Sequence, residues 1–182
     1  LIAATTRIAL ISAPLRSRFS GGIFRLEFYS ESDVEEIIRR SAKILDVKID
    51  ESAIKEISKR SRFTPRTANY FLKRCRDFAQ IKRIGLTEKT VEGALELLGV
   101  DEKGLAPSDR KILETIIEKF KGGPVGLNTL AAAISEEMAT IEEYNEPYLL
   151  QIGFLERTPR GRTVTDAGYK HLDKTKIDLF NN

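Results

Sequence analysis

Residues 153–165 read GFLERTPRGRTVT. Two short strand-like runs, 154–157 and 162–165, flank a Pro-Arg-Gly turn, and this pattern is typical of a β-hairpin with a tight turn. Three arginines lie on or beside the turn: Arg157, Arg160 and Arg162. If the second strand is regular there, alternation places Arg160 and Arg162 on the same side. The segment therefore predicts a short, strongly basic hairpin.

Three helices are predicted before the hairpin. Ser108 can cap a helix that ends at the Gly-Gly-Pro break of residues 122–124. A short helix opens at residue 127 or 128, and Thr140 can cap another that runs to Gln151. Three helices followed by a two-stranded hairpin is the order of a winged-helix domain, a helix-turn-helix variant.

The last of these helices is acidic. Residues 140–151 contain Glu142, Glu143 and Glu146 but neither Lys nor Arg. Acidic side chains facing the major groove would meet phosphate repulsion, so we do not expect this helix to read bases. The three arginines of the hairpin instead suit contacts with the phosphates of a duplex, with little sequence preference. A solvated basic hairpin is the alternative.

Residues 30–100 predict four short helices. Ser30, Thr64 and Thr87 suit helix caps, Pro65 suits a first turn, and a further helix is expected over 51–60. Apolar residues follow the caps at helical spacing. We expect a small all-α unit, joined to the winged helix by a linker over residues 101–107.

Basic residues concentrate in the middle of the chain. Residues 54–83 hold ten Lys and Arg against two Asp and Glu, although the net charge of the whole chain is only +3. Such a surplus indicates a nearby polyanion, either nucleic acid or a nucleotide phosphate. A solvated helix surface explains it equally well.

The composition excludes several classes of protein. The chain has 182 residues, 41% of them hydrophobic, which favours a folded protein over a disordered one. The single cysteine, Cys75, excludes an internal disulfide, and with only one histidine a Cys/His zinc site cannot form. The lone thiol fits a reducing compartment, and we expect the cytoplasm. No run approaches the length of a membrane helix.

The first 29 residues look like part of something larger. They contain two strand-like runs, 1–4 and 23–28, separated by Pro14 and a Ser-Gly-Gly break at 20–22. Two strands alone do not make a stable unit, and the chain lacks an initiator Met. We therefore expect a fragment that begins at the edge of a larger domain.

Strings across the chain resemble the RuvB family in that family's order, and together they are far more specific than any one alone. They are Ala4-Thr5-Thr6-Arg7, Pro14-Leu15-Arg16-Ser17-Arg18-Phe19, Leu26-Glu27-Phe28-Tyr29, Arg60-Ser61-Arg62, Thr64-Pro65-Arg66, Gly122-Gly123-Pro124-Val125-Gly126-Leu127, Glu146-Pro147-Tyr148-Leu149, and 153–162. The resemblance spans nearly the whole chain except its last eight residues.

The family is a hexameric AAA+ ATPase that drives Holliday-junction branch migration with RuvA. The resemblance implies a mainly α chain with four parts: a remnant of the α/β AAA+ core (1–29), a four-helix AAA+ lid (30–101), a C-terminal winged-helix DNA-binding domain (102–174) and a tail (175–182). It implies an ATP-dependent DNA helicase or translocase subunit that acts in recombination and repair. Double-stranded DNA or a Holliday junction, RuvA, RuvC and a homo-hexamer ring are the implied partners, with no membrane.

The resemblance also implies roles for individual residues. Thr6 lies in the sensor-1 region, and Arg18 matches the arginine finger that reaches the neighbouring subunit's ATP. Tyr29 and the sensor-2 Arg66 match nucleotide contacts. Arg157 and Arg162 match wing positions assigned to DNA contact, with Arg160 between them. An arginine supplied in trans stabilises transition-state charge and makes hydrolysis depend on ring assembly.

The chain departs from the family pattern. It has no Gly-x-x-x-x-Gly-Lys-Ser/Thr loop and no acidic Mg²⁺-binding strand, so we predict that it is inactive alone, although ATP and Mg²⁺ are implied for the intact protein. Phe63 stands where the family usually has Gly, Ala3 replaces another Gly, and the Ser-Gly-Gly stretch of residues 20–22 adds one residue after the arginine finger. These changes could alter the lid geometry or the placement of Arg18.

Two other functions stay open. The first is a non-enzymatic winged-helix DNA-binding protein with a basic four-helix appendage. The second is a protein-interaction fragment in which the acidic helix of residues 140–151 binds a partner. A phosphate-binding loop encoded upstream in the same reading frame would favour the motor, whereas a start codon just before Leu1 would count against it.

Overall fold

The computed structural model describes residues 2–5, 7–19 and 21–175. Two hydrophobic cores form within these residues, one built from residues 34–100 and the other from residues 105–172. We refer to the two parts as the four-helix unit (residues 30–100) and the winged-helix unit (residues 105–172). None of the helices in the described ranges is long and apolar enough to cross a membrane.

The four-helix unit has the helices that the sequence predicts. They are α2 (Glu31–Ile44), α3 (Glu51–Arg60), α4 (Pro65–Lys82) and α5 (Glu88–Leu97). Ser30 caps α2 through a reciprocal pair of hydrogen bonds: the Asp33 amide donates to Ser30 Oγ at 3.2 Å, and the Ser30 amide donates to the Asp33 carboxylate at 3.0 Å. The apolar faces of the four helices meet in a core. Its fully buried large side chains are Ile38, Ile54, Ile57, Leu72 and Leu95.

The winged-helix unit follows the predicted order. Its elements are α6 (Pro107–Phe120), α7 (Leu127–Ile134), α8 (Met138–Thr140), a π-helical turn (Ile141–Asn145), α9 (Glu146–Gln151), β1 (Leu155–Thr158), β2 (Gly161–Val164) and α10 (Asp166–His171). The expected cap at Ser108 is wrong. Helix α6 begins at Pro107, two residues earlier than a cap at Ser108 implies, because proline needs no amide partner in a first turn. The Ala106 amide donates to the Asp109 carboxylate at 2.7 Å.

The π-helical turn has a cause in the sequence. Pro147 lacks an amide proton and cannot donate to a carbonyl one turn earlier, so the ordinary helical bonding pattern is interrupted there. The turn over Ile141–Asn145 carries an extra residue just before this proline. Asn145, which ends this turn, and Glu146, which follows it, are only 1% exposed although both are polar.

The hairpin forms, but Arg160 does not lie on the strand as the alternation argument assumed. Strands β1 and β2 pair antiparallel, with Arg157 opposite Arg162 and Thr158 opposite Gly161. Residues 159 and 160 therefore form the turn. The expectation that Arg160 and Arg162 share a side is wrong, because Arg157 and Arg162 are the cross-strand neighbours that share a face.

A third piece of chain pairs with the hairpin. The Val125 amide donates to the Arg162 carbonyl at 3.0 Å, and the Arg162 amide donates to the Val125 carbonyl at 2.8 Å. This pairing brings Val125 against Gly161, which has φ +135° and leaves no room for a side chain: a Cβ there would lie 2.3 Å from the Val125 carbonyl oxygen. The wing tip therefore requires glycine.

The two strands expected near the N-terminus are wrong for the described residues. The segment forms a 3₁₀ turn (Ile8–Leu10) and a one-turn helix, α1 (Ala13–Arg16), while residues 2–5 and 21–29 are irregular. Its apolar side chains are solvent-exposed, Phe24 by 82% and Leu26 by 91%. An apolar run becomes a strand only where a neighbouring strand supplies hydrogen bonds and a face to cover it, and no described residue does so here.

We predict that Gly161→Ala lowers the free energy of unfolding by about 1–3 kcal/mol, because it combines a strained φ with a backbone clash. Chemical denaturation of the 182-residue chain measures this. Gly85→Ala is the matched control, since a Cβ at Gly85 would make only an ordinary contact, 3.8 Å from the Thr87 methyl group. Equal losses in the two variants would contradict the close approach at the wing.

Candidate nucleic-acid interface

A buried carboxylate binds the wing, which is the β1–β2 hairpin of residues 155–164. Glu146, at the start of α9, is 1% exposed. It accepts hydrogen bonds from Arg157 Nε at 2.9 Å and Nη2 at 3.0 Å, and from Arg162 Nη2 at 2.9 Å. The two arginines are cross-strand partners, so a single acid on the helix binds both of them. This arrangement holds the hairpin against the helix.

The three wing arginines differ in their freedom. The Arg162 side chain is 11% exposed, and its Nε is a buried atom without a hydrogen-bond partner among the described residues. The Arg157 side chain is 49% exposed and also binds Glu142 Oε1 at 3.0 Å. Arg160 is exposed at the tip, and its guanidinium has no partner in the described part of the chain. Of the three wing arginines, Arg160 alone has no carboxylate partner among the described residues.

We call Glu146 with its hydrogen-bonded partners Arg157 and Arg162 the clamp. These bonds favour the ionised form of Glu146. Burial raises the pKa of Glu146, but the hydrogen bonds from Arg157 and Arg162 outweigh burial and hold that pKa below its usual value. The bond to Glu146 raises the pKa of Arg157 in turn. Charge-assisted bonds of this kind are short and directional, so the guanidinium groups have defined positions.

The acidity of the helix is largely compensated within the protein. Glu142 and Glu146 pair with wing arginines, and Glu143 pairs with Arg7. From the sequence, these acids indicated phosphate repulsion or a surface for a protein partner, and their pairing with the wing was missed. The available signal was the i, i+4 spacing of Glu142 and Glu146 together with the two-residue turn, which places Arg157 opposite Arg162.

Two other expected site residues, Tyr29 and Arg66, lie on either side of the residues that open α4. Tyr29 lines a cavity of about 210 Å³ together with residues 26–28 and 63–65. Thr64 occupies the cap position of α4, yet its hydroxyl bonds Ser61 and Thr67, so no side chain caps the first-turn amides. Arg66 follows in that turn, is exposed and has no ion-pair partner among the described residues.

Free amides, the helix dipole and an unpaired arginine at one helix start fit an anion such as a nucleotide phosphate. The cavity is smaller than the roughly 300 Å³ at which small-molecule sites begin, so by itself it encloses only part of a ligand of that size. The residues present fit the group that the family implies.

The remaining expected site residues are not brought together. Arg18 is exposed just after α1 and does not line that cavity. Thr6 lies outside the described residues. Within the described ranges, no group of three or more His, Cys, Asp and Glu side chains is placed to hold a metal ion.

Comparison with known proteins settles the family. Residues 29–101 match the RuvB AAA lid domain, and residues 102–173 match the RuvB C-terminal winged helix domain. The chain belongs to the RuvB family. The family and the mainly helical fold class expected from the sequence are thereby confirmed.

Curated RuvB proteins share much of this sequence. The RuvB subunit of the Holliday junction branch migration complex from Dehalococcoides mccartyi is 58% identical over 173 residues, covering 94% of this chain and 49% of the relative. The corresponding subunit from Koribacter versatilis is 55% identical, covering 94% of this chain and 48% of the relative. The chain spans about half the length of the curated relatives it matches.

Solved RuvB structures share the fold. The Thermotoga maritima RuvB Holliday junction branch migration motor superposes with a TM-score of 0.86 at 50% identity, covering 92% of this chain and 56% of that chain. A mutant of the same RuvB gives a TM-score of 0.88, also at 50% identity, over 96% of this chain and 58% of that chain.

We predict that Glu146→Ala lowers the free energy of unfolding by about 3–5 kcal/mol, because it leaves Arg162 and part of Arg157 desolvated without a counter-charge. Glu142→Ala is the control on the same helix: its side chain is 48% exposed, and its loss should cost less than about 1 kcal/mol. Chemical denaturation of both variants tests this. Similar costs would show that Glu146 does not hold the wing.

Proposed function

We propose that the chain is the C-terminal portion of an ATP-driven RuvB motor subunit that promotes Holliday-junction branch migration. In this proposal residues 1–29 close the ATPase core, residues 30–101 are its lid, residues 102–174 bind duplex DNA and residues 175–182 form a tail. The intact subunit would work in the cytoplasm, as a homo-hexamer ring with RuvA and RuvC as partners. The family membership and the wing geometry support it.

The observation that carries the DNA-binding part is the free guanidinium at the wing tip. Arg160 projects from the turn, while Glu146 fixes the strands on either side of it. A rigid hairpin with a free cation at its tip suits a phosphate, because the position of the charge is set before binding. Arg157 is half-exposed and adds a second contact beside it. Arg162, which is nearly buried, would need to release Glu146 to reach a phosphate directly.

The nucleotide-binding part of the proposal rests on the N-terminal segment and on the start of α4. Tyr29 and Arg66 would contact ATP at the start of α4, where the first-turn amides lack a side-chain cap. Arg18 would act on the ATP of a neighbouring subunit, and Thr6 would belong to the sensor-1 region. Bound ATP with Mg²⁺ supplies the hydrolysis. This chain's share is to orient the phosphates and to sense their state through Arg66.

We predict that Arg160→Ala weakens binding of the chain to duplex DNA by roughly three- to tenfold at low salt, equally for unrelated sequences. The slope of log K against log salt should fall by about 0.9, the value of one lost phosphate contact. Fluorescence anisotropy with two duplexes of different sequence measures both quantities.

Arg40→Ala is the matched control, because Arg40 is an exposed arginine of α2 with no ion-pair partner among the described residues. It removes the same charge far from the wing and should leave the affinity nearly unchanged. An affinity unchanged by Arg160→Ala, or an equal loss in both variants, would refute the wing as the DNA contact.

For the motor, we predict that Arg18→Ala in the full-length protein abolishes ATP hydrolysis while nucleotide binding stays within about twofold. The expected loss is roughly 10³–10⁵-fold in rate, because a finger supplied in trans acts on the transition state. Mixing this variant with a full-length subunit that lacks Arg66 should restore part of the activity if the finger acts between subunits. Loss of nucleotide binding in Arg18→Ala would instead place Arg18 in its own subunit's site.

A further inference from the structure

One buried ion pair joins the two units. Arg62 lies between α3 and α4 of the four-helix unit, with a side chain 10% exposed. Its Nη2 pairs with the carboxylate of Asp109 on α6, and its Nε donates to the Gly104 carbonyl at 3.1 Å. Asp109 is fully buried. Burying two charges costs free energy, and their attraction offsets this cost only when the hydrogen bonds between them have good geometry.

The acid of this pair is also bound from the wing side. Its second oxygen accepts a hydrogen bond from Asn145 Nδ2 at 2.7 Å, and Asn145 directly precedes the clamp residue Glu146. The Arg62 guanidinium lies 5.4 Å from the Tyr144 ring centre and 5.0 Å from the Tyr148 ring centre. The helical stretch that carries Glu146 therefore surrounds the Arg62 guanidinium. Aromatic rings attract a cation that lies over their faces.

The backbone around Arg62 is held in a costly conformation. Arg62 and Phe63 both have φ +54°, in the left-handed region that L residues seldom adopt. Two such residues in succession persist only where the surroundings fix them. The Phe63 ring packs against the core of the winged-helix unit, and Gly104 lies so close to the Arg60 carbonyl that a Cβ would approach it to 2.4 Å.

Arg62 lies between the helix start that carries Arg66 and the contacts that lead to the wing. Helix α4 starts three residues later at Pro65 and carries Arg66 in its first turn. Towards the wing, the path runs from Asp109 through Asn145 to Glu146, which binds Arg157 and Arg162. Asp109, Asn145 and Glu146 are all buried, and each step between them is a hydrogen bond or a peptide bond.

We propose that Arg62 is a positioning residue that fixes the wing relative to the helix start carrying Arg66, so that both units move as one rigid body. The roles of the two ends, a nucleotide at Arg66 and duplex DNA at the wing, rest on the proposed function. The rigid connection itself does not. A displacement of α4 would therefore carry the wing with it, as in the rigid-body class of conformational change.

The test is ¹⁵N relaxation on the 182-residue chain. Backbone amides of the two units should report one common rotational correlation time in the wild type. The double variant Arg62→Met with Asp109→Asn removes both charges together and leaves neither buried alone. We expect it to lose the common value and to show two distinct, shorter correlation times, while the chemical shifts within each unit stay those of a folded domain.

Glu56→Gln is the matched control, because Glu56 forms a buried pair with Arg60 inside the four-helix unit. That variant should keep one correlation time. If the double variant also keeps the wild-type value, Arg62 does not set the arrangement. If either unit loses its folded spectrum, Arg62 supports folding and the positioning role is likewise refuted.

Duplex binding separates this proposal from the proposed function. The double variant retains Arg157 and Arg160, so its affinity for a duplex should stay within about twofold of the wild type. A wild-type chain that fails to bind DNA would contradict the proposed function and leave the relaxation result intact. A rigid wild type together with a variant that is equally rigid would contradict the positioning role alone.

Discussion

The buried carboxylate of Glu146 is the interaction on which the rest of the wing depends. A helix with three acids is an unexpected neighbour for a DNA-binding hairpin. Here one of those acids, 1% exposed, binds Arg157 and Arg162 across the strand pair and holds both strands against the helix. Because these arginines are engaged, Arg160 is the wing arginine whose charge is left without a carboxylate partner among the described residues.

The same helical stretch also links the wing to the rest of the chain. Pro147 interrupts the ordinary helical bonding, and the π-helical turn before it buries Asn145 beside Asp109. Asp109 in turn binds Arg62, which lies just before the helix start that carries Arg66. An unusual backbone feature in one unit and two left-handed residues in the other thus meet at a single buried ion pair.

Local patterns predicted local structure well. The Ser30 cap, the first-turn Pro65 and the hairpin each depend on neighbours within a few positions, and the structure has all three. Thr64 occupies the cap position of α4 without a capping hydrogen bond, and the hairpin turns over two residues where the sequence indicated Pro-Arg-Gly. What depends on distant neighbours was missed or wrong. The strands over 1–4 and 23–28 fail because nothing in the described chain pairs with them. The pairing of Arg62 with Asp109, 47 residues away, left no local pattern to read. The pairing of Glu146 with the wing was signalled only by the i, i+4 spacing of Glu142 and Glu146 and by the hairpin turn.

The most direct test of the account is an NMR titration that follows the arginine side-chain Nε signals of the chain against two duplexes of unrelated sequence. We expect the Arg160 signal to shift most, and to shift equally with both duplexes. The Arg162 signal should stay close to its free position because Glu146 retains that side chain. DNA binding with no change at the Arg160 signal, or shifts that depend on the base sequence, would contradict it.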